Sequence, residues 1–135
     1  MREAAGVAIQ PLQTPGVARP LGHLSNAVRT GGRLYLAGLV ALDECGALVG
    51  KGSIRDQTTH VCRSIELICE QQGVTLAAVT RCLVFLSDRA NYPEFDAAFA
   101  DVFGEHRPAR ATVIAELVNP DFLVEIVADV ELSGR

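Results

Sequence analysis

The clearest hydrophobic pattern in the chain lies near its C-terminal end. Over residues 109–117 the odd positions, Ala109, Ala111, Val113, Ala115 and Leu117, are all apolar. Over residues 122–132 the even positions, Phe122, Val124, Ile126, Ala128, Val130 and Leu132, are apolar throughout. Alternation of this kind marks strands with one face buried. Pairing Leu117 with Phe122 around Val118-Asn119-Pro120-Asp121 brings the two apolar sets onto one face, and a one-residue slip would turn one set away. The pattern therefore predicts a hairpin. Its opposite face carries Arg110 and Glu125, with Arg110 across from Asp129. Asp129 is four residues from Glu125, roughly 13 Å along a strand, so the two charges should not touch within one chain.

The upstream chain reads as support for that hairpin. Residues 6–12 suit a short edge strand, with Pro11 at its limit. Residues 24–29 and 33–38 flank Thr30-Gly31-Gly32 and suggest a tight hairpin. Residues 43–52 read as an extended surface loop. Ser53 with Asp56 three positions on has the form of a helix start, and Val61, Cys62, Ile65, Ile68 and Cys69 then fall on one helical face that ends near Gln72-Gly73. Residues 79–86 are apolar on both faces, as in a central strand. Asn91 heads a second helix with Pro93 in its first turn, anchored by Tyr92, Phe95, Phe99, Val102 and Phe103 and ended by Gly104. The order of strands, helix, strand, helix, strand, strand predicts a split β-α-β arrangement of class α+β, a mixed sheet with both helices on one face. Its other face would be bare, which points to an oligomer.

Composition narrows the function. The 135 residues suit a single domain spanning 1–135. Net charge is −4, with no basic block, which argues against nucleic-acid binding through phosphates. No apolar window is long enough to span a membrane, and the N-terminus is too short and polar before Pro11 for a signal peptide. Cys45, Cys62, Cys69 and Cys82 have no zinc-like spacing with one another or with His60 and His106, so no metal is expected and a cytoplasmic protein with reduced thiols fits. His23 and His106 read as loop and solvated positions. Two ordinary readings compete with function at the charged pair. Arg110 is either a substrate ligand or a cross-strand partner of Asp129, and Glu125 either a site residue or a solvated strand carboxylate.

Taken in order, several segments resemble the RidA (YjgF-like) family of enamine and imine deaminases. They are Leu24-Ser25-Asn26-Ala27-Val28, Leu34-Tyr35-Leu36-Ala37-Gly38, Gln57, Val84-Phe85-Leu86-Ser87-Asp88, Phe103-Gly104, Pro108-Ala109-Arg110-Ala111-Thr112-Val113 and Leu123-Val124-Glu125-Ile126. The resemblance covers nearly the whole chain. It implies a chorismate-mutase-like (YjgF-type) fold and a homotrimer with sites between subunits. It also implies hydrolysis of 2-imino or 2-enamino acids to 2-keto acids and ammonia, without a cofactor.

Carried over residue by residue, the resemblance makes Arg110 the group that holds the substrate carboxylate and Glu125 the catalytic group at the hydrolytic water. Thr112, Gly38, Ala37, Leu24 and Asp96 would line the substrate. Four of these depart from deaminating members: Leu24 replaces a tyrosine, Ala37 a serine, Thr112 a cysteine and Asp96 an asparagine. The implied pocket is less polar, with a bulkier or more apolar substrate than usual. The alternative is a non-catalytic trimeric module that binds a small carboxylate or a protein partner. A ribonuclease, an activity attributed to some relatives, is disfavoured by the acidic charge.

Overall fold

The computed structural model describes residues 8–132. The strand expected from residue 6 and the N-terminal segment read against a signal peptide lie partly or wholly outside them. Besides two short 3-10 turns, the strands and α-helices among these residues are, in order, β1 (Ile9–Leu12), β2 (Ala27–Thr30), β3 (Arg33–Leu36), α1 (Ile54–Gln71), β4 (Val79–Leu86), α2 (Tyr92–Phe103), β5 (Ala109–Ile114) and β6 (Val124–Glu131). The strands form one mixed sheet in the order β1-β2-β3-β6-β4-β5. Among the described strands only the β4–β5 pair is parallel.

The local signals explain the elements. Gly31, at φ 57°, lets two residues close the β2–β3 hairpin between Thr30 and Arg33. Pro11 sits inside β1, which tolerates it as an edge strand. The Ser53 hydroxyl accepts the Asp56 amide at 3.1 Å and starts α1. Val61, Cys62, Ile65, Ile68 and Cys69 are all fully buried on its inner face. Asn91 stands at the start of α2 but makes no capping bond. Asp88 does that work one turn earlier, where its carboxylate accepts the Ala90 amide at 2.8 Å. Phe95, Phe99 and Phe103 carry α2 into the core, and Gly104 at φ 65° ends it.

The predicted hairpin between the last two strands does not form. β4 lies between β5 and β6, pairing with β5 in parallel and with β6 antiparallel. A helix separates β4 from β5, and a strand-helix-strand crossover returns the chain parallel to its first strand. That leaves the other side of β4 for β6, which inserts between it and β3. Asp129 consequently meets Arg81, at 3.0 Å, and not Arg110.

The faces change as well. The even positions of β6 are buried, as expected. In β5, however, Arg110 and Thr112 are the better covered pair, and the apolar odd positions Ala109, Ala111 and Val113 are exposed. Tyr35, Leu83 and Val113 are exposed on the sheet face away from the helices. Among the described residues that face has no covering layer. Arg110 and Glu125 therefore do not share a face. Buried Gln57 ties the chain together near the start of β6: its amide donates to the Gly50 and Asp121 carbonyls and its oxygen accepts the Leu123 amide.

Candidate functional site

Glu125 leaves β6 out of phase with the buried even positions. After β3 the chain bulges and regains pairing at Leu39, whose amide and carbonyl bond reciprocally with Ile126 at 2.9 and 3.1 Å. That register lays Gly38 flat against Glu125. A Cβ on Gly38 would fall on the carboxylate, 2.8 Å from its Cδ and 3.1 Å from its Cγ. Glycine is thus required by space rather than by φ.

The Glu125 carboxylate opens into a cleft of about 230 Å³. Val17, Leu39, Leu42 and Phe122 make much of its wall, with Leu21, Leu24 and Val118 at the lip. Leu24 is 53% exposed and Val118 88%, so this lip presents apolar surface to solvent. Arg19 is the cation of the lining. Among the described residues the Glu125 carboxylate has neither a hydrogen-bond donor nor an ion-pair partner. Burial raises its pKa above the ordinary 4.5, because nothing compensates the charged form for lost water.

Arg110 is held elsewhere. It lies level with Cys82 of β4 and turns toward α2. Its Nη2 donates to the Tyr92 hydroxyl and to Asp96 Oδ1, both at 2.8 Å. Its guanidinium carbon stands 5.1 Å from the centroid of Phe95 and 4.9 Å from that of Phe99. Aromatic rings at this distance attract the cation. The side chain stays 18% exposed. Thr112, two residues on, shares the side of Arg110 and is aligned with Val84.

The seven expected site residues thus divide. Leu24, Gly38 and Glu125 line one cleft. Ala37 is next to it but outside its lining, with its amide bonded to the Asn26 carbonyl at 2.8 Å. Arg110, Asp96 and Thr112 form a second group on the α2 side. From Arg110 to Glu125 is two strands across and about three residues along, roughly 14 Å between backbones on opposite faces. One chain cannot apply both to one small molecule.

The sequence pattern places Tyr92 among the core anchors of α2, but it is 41% exposed and its hydroxyl accepts from Arg110, and nothing in the pattern marks Arg19. Tyr92 was legible, since it precedes Asp96 by one helical turn on the same face. Arg19 lies in an irregular loop that gives no such signal. His60 Nε2 bonds the Leu42 carbonyl at 2.7 Å, and Cys62, Cys69 and Cys82 are buried. His106 is not merely solvated, because its Nε2 bonds the Val79 carbonyl at 2.7 Å. Burial pushes Cys62, Cys69 and Cys82 up to about 12, so these thiols are poor nucleophiles. Among the described residues no histidine, cysteine and carboxylate cluster could hold a metal.

Gly38→Ala should displace the carboxylate without unfolding the chain, because the glycine is exposed and its φ suits any residue. If Glu125 acts on substrate, turnover should fall up to about 100-fold with an unchanged melting temperature. Steady-state rates and a thermal melt check this together.

The comparisons agree with this architecture. Residues 16–132 match the family model described as endoribonuclease L-PSP, the YjgF/RidA group. A RutC family protein of Pyrococcus horikoshii is 34% identical over 115 residues, covering 85% of this chain and 91% of that protein. The 3-aminoacrylate deaminase RutC of Acinetobacter baylyi is 37% identical over 113 residues, covering 84% and 90%. The solved structure of RidA from Psychrobacter superposes with a TM-score of 0.83 at 28% identity, covering 90% of this chain and 98% of that one. A Rid-family protein of unknown function from Yersinia pestis gives 0.85 at 27%, covering 92% and 99%. With a matched segment that spans β2 to β6 and both helices, this chain belongs to the L-PSP (YjgF/RidA) family.

Proposed function

We propose that this chain is a hydrolytic deaminase that converts 2-imino or 2-enamino acids to 2-keto acids and ammonia. It would act as a single domain in a cytoplasmic homotrimer, with each site built between two copies. Arg110 of one copy binds the substrate carboxylate, and Glu125 of the next acts on the reacting carbon. Thr112, Ala37, Gly38 and Leu24 line the substrate. No cofactor takes part. A relative 37% identical, named 3-aminoacrylate deaminase, supports the reaction class. The bare apolar sheet face supports the assembly.

One observation carries the reading. Glu125 is a partly buried, unpartnered carboxylate with a raised pKa, facing a mostly apolar cleft. Such a group is expensive to keep without a use. A raised pKa makes it a stronger base at neutral pH. Glu125 takes a proton from water as the water oxygen bonds to the C=N carbon and the π pair moves to nitrogen. Glu125 first passes that proton to the nitrogen, giving a neutral carbinolamine, then takes the hydroxyl proton and delivers it to the amino group as the C=O bond closes, the C–N bond breaks and ammonia leaves. An enamino acid enters as its imine tautomer.

The apolar walls also suit a non-catalytic module that binds an apolar carboxylate. The family description names an endoribonuclease, but net charge −4 and an apolar cleft disfavour an RNA backbone. The separating experiment supplies 2-imino acids generated in situ from amino acids of several side-chain sizes and follows loss of the imine. Acceleration that grows with apolar side-chain size supports the deaminase. No acceleration for any of them, with the acids still bound, leaves the binding module.

A further inference from the structure

The way Arg110 is held has a consequence for what it can bind. A guanidinium offers a carboxylate two forked edges, one of Nε with Nη2 and one of Nη1 with Nη2. Nη2 belongs to both. Its two hydrogens are directed to the Tyr92 hydroxyl and to Asp96 Oδ1, each at 2.8 Å. Nε and the two Nη1 hydrogens remain, and without Nη2 they form no fork.

Resting on the reading of Arg110 as the carboxylate ligand, we propose that Asp96 competes with the substrate carboxylate for Arg110 and so sets how tightly that carboxylate is held. The substrate takes a forked edge only by displacing Asp96 or Tyr92. Of the two, Asp96 is the displaceable partner. It is 52% exposed, so water can receive its carboxylate, and it repels an arriving anion of like charge. The aromatic faces of Phe95 and Phe99 keep the guanidinium in place during the exchange. A site of this design binds a single carboxylate weakly and releases a carboxylate product readily.

The test uses the full chain and pyruvate, the simplest 2-keto acid, titrated calorimetrically into native protein, Asp96→Asn, Asp96→Ala and Arg110→Ala. Asp96→Asn keeps an oxygen acceptor but removes the charge, and Asp96→Ala removes both. Both should bind pyruvate about tenfold more tightly, the scale of one partly screened charge interaction. In turnover, KM should fall by a similar factor while kcat stays within about twofold. A support role for Asp96 predicts the reverse, since Asp96→Ala would then let Arg110 wander and binding would weaken. Unchanged or weaker binding in the two Asp96 variants, with binding lost in Arg110→Ala, overturns the competition and leaves Arg110 as the ligand. Binding in Arg110→Ala equal to native overturns the assignment of Arg110 itself.

Discussion

Glu125→Gln is expected to lower turnover by about 10²- to 10⁴-fold, the range for losing a positioned acid–base group. The same change should not destabilise the protein. Glutamine has nearly the shape of glutamate, and no donor among the described residues loses a partner. The sign of the pH effect follows from the raised pKa. A carboxyl whose folded pKa exceeds its unfolded value favours the protonated fold, so stability is full below the unfolded value and declines as pH rises through the folded one. Glu125→Gln removes that decline. The variant should melt higher than native at pH 7, and the gap should close below about pH 4.5, the ordinary glutamate value. The acid limb of native turnover should likewise fall above 4.5. A variant that is less stable at pH 7 and equally active would mean that Glu125 is an ordinary structural carboxylate.

Arg110→Ala should lower kcat/KM by about 10²- to 10³-fold, because the substrate carboxylate loses its charged donor. Most of the loss should appear in KM if the carboxylate is held equally in substrate and transition state. Arg110→Lys should not restore it. An ammonium has no planar fork and does not reproduce the delocalised cation beside Phe95 and Phe99. Stability should change by only about 1 kcal/mol, since Asp96 is half exposed and can rehydrate. Kinetics of the three forms on one apolar imino acid check this. Equal kcat/KM in all three would remove Arg110 from the site.

Much of the architecture was legible because local signals and tertiary packing agree. The α1 stripe from Val61 to Cys69, the Ser53 cap and the phenylalanines of α2 all appear as the helical period indicates. The terminal strands were misread for a physical reason. Parity reports which face of a strand is apolar, not what covers it. The apolar odd positions of β5 face outward on the bare sheet, whereas Arg110 packs against the rings of α2. An arginine stem with aromatic partners can occupy a helix-facing position that parity assigns to the polar side. The intervening helix was the available correction, since it places β5 parallel beside β4.

The cleft that holds Leu24, Gly38 and Glu125 was not legible as an arrangement, although each of these candidate residues was named from the sequence. Gly38 shows its role only through the Leu39–Ile126 bridge, which pairs residues 87 positions apart in sequence. Neither that bridge nor the position of Arg19 leaves a periodic trace. The separation of Arg110 from Glu125 was anticipated, and the face relation was not. Opposite faces mean that a site using both residues would require a second copy, because even a flexible substrate could not bridge the sheet.

Mixing the two variants tests that need directly. Arg110→Ala and Glu125→Gln chains, each nearly inactive alone, are unfolded and reassembled together in equal amounts. A site between copies then sometimes receives Arg110 from one variant and Glu125 from the other. Random assortment should restore roughly a quarter of native activity per site in the mixture. Activity that stays at the average of the two inactive parents, with mixed assemblies demonstrated, would contradict a site shared between subunits.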